Sequence, residues 1–223
     1  MRKKVVIIVW LLFNLSYCQE ERNQLLEYQN TIFNEFSLKG ITQYMFFSFN
    51  CPMLVQVSLE DRDKSINKSG ILAINQFEAY LIWKENAKVF LKKISNKKNL
   101  REMEESNKFE VLNFDPFRFI GNNLDRLKND EVLGYEVIEN GEKYLILTPT
   151  GCRTKFQIFF NSQKIENDFD TYNHVLSKNF DDDNSKSNKK TENINYKSNN
   201  NLKLIKLYKK LNEAISKINF NTH

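Results

Sequence analysis

Residues 135 to 147 read YEVIENGEKYLIL, and no other stretch limits the fold so firmly. Two runs of β-branched and aromatic residues flank Asn140 and Gly141, residue types that adopt positive φ readily, as both central positions of a type I′ turn require. The pattern predicts an antiparallel hairpin. A second hairpin is predicted over residues 79 to 93, AYLIWKENAKVFLKK, where apolar runs lie either side of Glu85, Asn86, Ala87 and Lys88. KFQIFFNSQ, residues 155 to 163, is expected to add a strand to the Asn140–Gly141 hairpin, with Pro149 and Gly151 marking the turn between them.

Strand-like texture begins earlier, in ITQYMFFSF and MLVQVSL, which are separated by Asn50, Cys51 and Pro52. Two strands interrupted at the cysteine are expected. Ahead of them, residues 19 to 36 set Leu25, Leu26, Ile32, Phe33 and Phe36 among polar neighbours and lead to Gly40, the pattern of an amphipathic helix with a glycine exit. Between the hairpins, residues 95 to 108 are polar and read as an exposed connection or a short helix. FDPFRFIGNNLDRLKND then supplies Phe114, Phe117, Phe119, Ile120, Leu124 and Leu127, which are expected to pack on the sheet. Asp115 and Pro116 can begin either a turn or a first helical turn.

The C-terminal third changes character. Residues 181 to 201, DDDNSKSNKKTENINYKSNNN, offer only Ile194 and Tyr196 as large apolar side chains, so a flexible linker is expected. Beyond it, Leu204, Tyr208, Leu211, Ile215 and Ile218 recur at alternating intervals of four and three, the stripe of an amphipathic helix within residues 202 to 223. Lysines occupy most of the remaining surface. Such a helix has three uses: to cover an open face of the domain's own sheet, to enter a partner's groove, or to lie on an anionic membrane. The first is the expectation.

Together these readings give an α+β fold: an antiparallel sheet built from hairpins, flanked by an N-terminal helix and a C-terminal amphipathic helix. The domain spans residues 19 to 180, and the alternative for the sheet is a β-sandwich or small barrel.

Residues 1 to 18 set the compartment. Arg2, Lys3 and Lys4 precede an uncharged apolar stretch from Val5 to Tyr17, the layout of a cleaved signal peptide and too short to span a bilayer comfortably. Cutting after Cys18 places Ser16 and Cys18 at the small-residue positions and predicts a secreted or periplasmic chain with no transmembrane helix. The alternatives are an uncleaved anchor and a lipoprotein cut before Cys18, whose thiol then carries a diacylglycerol; Tyr17 is bulky for that cleavage. A membrane surface is reached only through that lipid or the basic helix.

Cleavage at Gln19 leaves Cys51 and Cys152 as an even pair in an oxidising compartment, and one disulfide is predicted. Cleavage also removes three of the 33 basic residues, so the formal charge falls from +5 to +2. No nucleic-acid footprint remains.

Chemistry-bearing motifs are few. His174 and His223 are the only histidines and make no zinc pair, the six glycines form no phosphate loop, and there is no Gly-x-Ser-x-Gly elbow. Two alternatives persist. Cys152, beside Arg153 and with His174 downstream, has the residue types of a cysteine enzyme. Asp181, Asp183, Ser185 and Glu192 have the spacing of a calcium loop, although Lys186 replaces its glycine and Lys189 and Lys190 oppose a dication. Asn67, Lys68 and Ser69 spell a glycosylation sequon. The expectation is a non-enzymatic exported protein that binds another protein, without a cofactor, through exposed sheet edges or the C-terminal helix. The alternatives are an envelope protein anchored through Cys18 and an enzyme using Cys152 and His174.

Overall fold

The computed structural model describes residues 27–59, 68–96, 103–105, 110–146, 152–178, 191–218 and 220. Residues 1–18, Cys18, the start of the first helix and residues 181–190 lie outside them.

Helix α1 covers residues 27–38 and ends at Gly40, whose φ of +68° turns the chain out of the helix. Strand β1 (Gln43–Leu59) then pairs antiparallel with β2 (Lys68–Glu85), and β2 pairs with β3 (Lys88–Asn96). Two short strands, β4 (Met103–Glu105) and β5 (Glu110–Val111), both pair with β3. On the other side of β1 lies β8 (Arg153–Phe160), followed by β9 (Gln163–Asp170). The main sheet is therefore ordered β3-β2-β1-β8-β9, with β4 and β5 outside β3.

Three two-residue turns pin the register. Asn86 and Ala87 have φ of 50° and 62°, Asn140 and Gly141 have 53° and 84°, and Asn161 and Ser162 have 47° and 69°. Positive φ at both central residues gives the backbone twist that matches the flanking strands. The first two turns follow the expected hairpins. The third joins β8 to β9, a strand whose polar sequence QKIENDFD disguised it.

The sheet is buried on both faces, which is why YMFF and AYLIW are continuous apolar runs rather than alternating ones. One face carries Met45, Phe47, Tyr80, Ile82, Leu91, Phe156 and Ile158 against Phe117, Ile120 and Leu127 of helices α2 (Pro116–Gly121) and α3 (Leu124–Asn129). Helix α5 (Lys203–Ser216) closes the same face with Leu204, Ile205, Leu207, Leu211 and Ile215. The opposite face sets Tyr44, Phe46, Leu81, Trp83 and Ile94 against Ile32 and Phe36 of α1. Phe47 stacks on Phe156 at 4.7 Å, and truncating such a buried ring to alanine costs about 3–5 kcal/mol.

Caps fix the helices over the sheet. Asp115 accepts from the N–H groups of Phe117 and Arg118 at the start of α2 and pairs with Lys84 of β2 at 2.6 Å. Burial alone raises the Asp115 carboxyl, but the Lys84 ammonium and these N–H groups outweigh it and hold it below its usual range. Asp130, just past α3, accepts from the Leu204 N–H at 2.8 Å and so caps α5 from a distant part of the chain.

Four expectations are corrected. β1 runs unbroken through Cys51 and Pro52; it pairs with β8 only as far as Asn50, so among the described residues Pro52 sits where one side of the strand is an edge and a missing N–H is tolerated. β8 joins β1 rather than the Asn140–Gly141 hairpin, because its inward ring Phe156 belongs to the same core layer as Phe47. That hairpin, β6 (Glu136–Glu139) with β7 (Glu142–Leu145), stands apart as its own two-stranded sheet. Finally, residues 191–201 are not a linker. They form β11 (Thr191–Glu192), paired with β10 (Ser177–Lys178), and helix α4 (Tyr196–Asn201).

The reason lies in asparagine side chains that bond to backbone. Asn193 donates to Asn173 O at 2.8 Å, Asn195 to Gly134 O at 3.0 Å and Asn200 to His174 O at 2.9 Å, while Asn199 is fully buried. Hydrogen bonds between buried amides hold this segment where apolar area is scarce.

Candidate functional site

The pairing of β1 with β8 ends at Asn50 and Arg153, and the next residue along the chain from each, Cys51 within β1 and Cys152 just ahead of β8, is a cysteine. Cys51 and Cys152 lie with Cα atoms 4.1 Å apart and sulfurs 2.18 Å apart, bonded as a disulfide. Close Cα approach is what a directly opposed antiparallel pair provides. The far side of the junction is tied down as well: Cys152 O accepts from both the N–H and the hydroxyl of Thr171, at 2.8 and 3.0 Å.

Beyond this junction the sheet narrows to two strands. From Cys51↔Gln76 to Leu59↔Lys68, β1 and β2 pair with each other, and among the described residues with nothing else. At about 3.4 Å per residue, the ribbon projects on the order of 30 Å past the point where β8 stops. Both outer edges of such a ribbon present backbone N–H and C=O groups, the pattern to which a further strand adds. The sheet's other long edge, β9, is differently equipped: Asn167 of that strand donates to Leu127 O at 2.8 Å, and Lys164 and Glu166 form an exposed ion pair along it. Charged side chains on an edge discourage pairing.

The other sequence candidates are distributed as follows. Cys152 offers no thiolate to His174, because its sulfur is bonded to Cys51. His174 ends the 3₁₀ turn Thr171–His174, and its ring packs edge-on against Tyr208 at 5.1 Å and Phe169 at 6.4 Å. Burial, aided by the Lys209 ammonium, lowers its pKa from 6.5, and its Nδ1 has no hydrogen-bond partner among the described residues. That is a packed aromatic position. Of the calcium set, Asp181, Asp183 and Ser185 fall outside the described residues, and Glu192 is exposed on β11. Among the described residues no cluster of three or more His, Cys, Asp or Glu side chains is placed to hold a metal.

Helix α5 turns its stripe inward, with Tyr208 and Ile218 partly buried beside the core residues Leu204, Leu211 and Ile215. That face is occupied by the chain's own sheet and is not free for a groove or a bilayer. Ile205 and Leu207 widen it beyond the five residues expected. No helix among the described residues is long and apolar enough to cross a membrane.

Sequence reasoning missed the ribbon, because Pro52 suggested a break, and missed the asparagine lattice, whose only signal was seven asparagines in 21 residues. The chain is thus an α+β protein whose disulfide ties two central strands at the root of a projecting ribbon. No protein-family model matches it, and no curated protein or solved structure is significantly similar to it.

Proposed function

We propose that the protein is an exported, non-enzymatic binding protein that captures an extended segment of another protein by strand addition along the β1–β2 ribbon. The observation that carries this reading is the ribbon itself, two paired strands that continue for nine residue pairs, Cys51↔Gln76 to Leu59↔Lys68, past the end of β8. An isolated two-stranded ribbon is marginal in water, and a third strand supplies main-chain hydrogen bonds to one of its edges. Export agrees with the charged and apolar leader and with a disulfide in a chain that keeps an even pair of cysteines after cleavage. The disulfide fixes the ribbon's root, so a partner meets a preorganised edge and less ordering entropy opposes binding.

The test is a shortened ribbon. Replacing residues 53–74 by Asn-Gly joins Pro52 to Asn75, which already face each other, and leaves the disulfide and both core layers in place. Chemical cross-linking in the exporting host is expected to yield a discrete adduct with the full chain and none with the shortened one, both unfolding cooperatively. An identical adduct from both chains rules the ribbon out.

A further inference from the structure

Three turns set an asparagine at the first of two positive-φ positions: Asn86 before Ala87, Asn140 before Gly141 and Asn161 before Ser162. They differ in what restrains them. The first and third join strands of the main sheet, and Asn161 is tied further: its N–H donates to Thr42 O at 3.0 Å, and its Oδ1 accepts from the Thr42 hydroxyl at 3.4 Å and from Gln43 Nε2 at 3.5 Å. Asn140 closes the β6–β7 hairpin, whose four-residue strands form a sheet of their own and whose residues from Ile138 to Leu145 are all exposed. A hairpin of that kind is marginal by itself, so this turn opens more readily than the other two.

Asn140 and Gly141 are also the chain's single Asn-Gly pair. Gly141 has no Cβ to crowd its main-chain nitrogen, which therefore reaches the Asn140 side-chain carbonyl with less hindrance than Ala87 N or Ser162 N meets at its own asparagine. Attack makes a bond from Gly141 N to Asn140 Cγ and breaks the Cγ–Nδ2 bond, and the proton from Gly141 N leaves with Nδ2 as ammonia. Water then opens the five-membered imide at either carbonyl. Opening at one restores the main chain and gives aspartate; opening at the other routes the chain through the side-chain carbon and gives isoaspartate. Ring closure needs a ψ at Asn140 that a type I′ turn does not hold, so the hairpin must open before the first bond forms.

We propose that Asn140 is a self-modifying site, whose conversion to aspartate and isoaspartate loosens the β6–β7 hairpin independently of anything bound at the ribbon. Isoaspartate adds a backbone carbon to a turn that the register Glu139↔Glu142 limits to two residues. Either product sets a new carboxylate between those two register-paired glutamates, and like charges there oppose closure. Ammonia is lost, so the change accumulates with age. Its effect reaches the segment after β11, because Ile194 N donates to Glu136 O at 2.9 Å.

The test ages the folded chain in mildly alkaline buffer beside a sample unfolded in guanidinium chloride. Peptide mass maps the lost amides, and labelling by an isoaspartyl methyltransferase reports the isoaspartate. In the folded chain Asn140 is expected to convert while Asn86 and Asn161 stay intact; in the unfolded chain it is expected to convert faster, since no turn has to open. Amide hydrogen exchange in the aged, folded chain is expected to quicken over Glu136–Leu145 and to hold in the main sheet. Asn140→Asp, which adds the charge without the extra backbone carbon, is expected to quicken it less. Asn140 still intact in the folded chain once the unfolded chain has converted fully, conversion of Asn86 or Asn161 at the same rate, or unchanged exchange over the hairpin of the isoaspartate-bearing chain, each overturns the proposal.

Discussion

The side-chain amide of Asn199 pairs with the backbone of Leu133 as a neighbouring strand would: Oδ1 accepts from the Leu133 N–H at 3.0 Å, and Nδ2 donates to Leu133 O at 2.9 Å. The same Nδ2 donates to Asn173 O at 2.7 Å. One buried side chain thus joins helix α4, the approach to the β6–β7 hairpin and the 3₁₀ turn. Asn199→Ala removes all three bonds and leaves their backbone partners to find water. Because Leu133 is partly exposed, some solvation returns, and the expected loss is about 2–3 kcal/mol in urea unfolding. Asn200→Ala, at a less buried position, is expected to lose about 1 kcal/mol or less. Equal losses for the two contradict the assignment of Asn199 as the junction.

Ala87 sits at φ 62° in the β2–β3 turn, a conformation that costs an L-residue roughly 1 kcal/mol. Ala87→Gly produces the Asn-Gly pair that the Asn140–Gly141 turn already uses, and it is expected to raise stability by about 0.5–1 kcal/mol. Gly141→Ala, at φ 84°, is expected to move stability the opposite way. Thermal melts of the two variants against the parent check both signs.

The disulfide closes a loop with a sequence separation of 101 residues, long enough for the chain-entropy model to assign it about 4.7 kcal/mol. Replacing Cys51 and Cys152 by alanine together is expected to lower the unfolding free energy by that order. Reductant is expected to shift the midpoint of the parent and leave that of the double variant unmoved. A parent midpoint insensitive to reductant contradicts the bridge.

His174 gives stability a pH dependence. Burial and Lys209 keep its folded pKa below the reference of 6.5, so between those two values the unfolded chain binds the proton that the folded chain refuses. Stability is then complete above about pH 6.5 and is lost as pH falls through the folded pKa. The carboxyls held low, Asp115, Glu166 and Glu213, act in a more acidic window, below their references of 3.8 and 4.5. Urea midpoints measured from pH 7 to pH 5 are expected to fall for the parent and to stay flatter for His174→Gln. Parallel curves contradict this role.

Legibility in the sequence followed the physics of each segment. Asn140 and Gly141, and Asn86 with Ala87, announced their turns because backbone sterics are local, and the fold class followed from those hairpins. Asp115 and Pro116 began a helix for the same reason. β9 was hidden because its inward residues, Ile165 and Phe169, are outnumbered by the polar groups of an edge strand. The strand pairing of β8 was hidden because partner choice is a long-range packing decision. Asparagines 193, 195, 199 and 200 read as linker because composition weighs apolar area, whereas these side chains act through hydrogen bonds to carbonyl groups far away in sequence. Of the candidate surfaces, the amphipathic helix was visible and proved to be core. Of the ribbon only the β1 half was visible, as the separate strand MLVQVSL; its partner stretch at the start of β2 was not anticipated.

The most direct test of the binding account is site-specific photo-cross-linking from the ribbon in the native host. A photoreactive residue at Gln56, in the two-stranded part of β1, is compared with one at Lys39, beside the exit of α1. The account predicts a discrete heavier species from position 56 that position 39 does not give, and its disappearance when Pro substitutions at Leu54 and Ser58, which lie on the same side of β1 as Pro52, remove main-chain donors from the edge that β8 leaves open. Adducts of equal yield from both positions, or none from position 56, contradict strand addition at the ribbon.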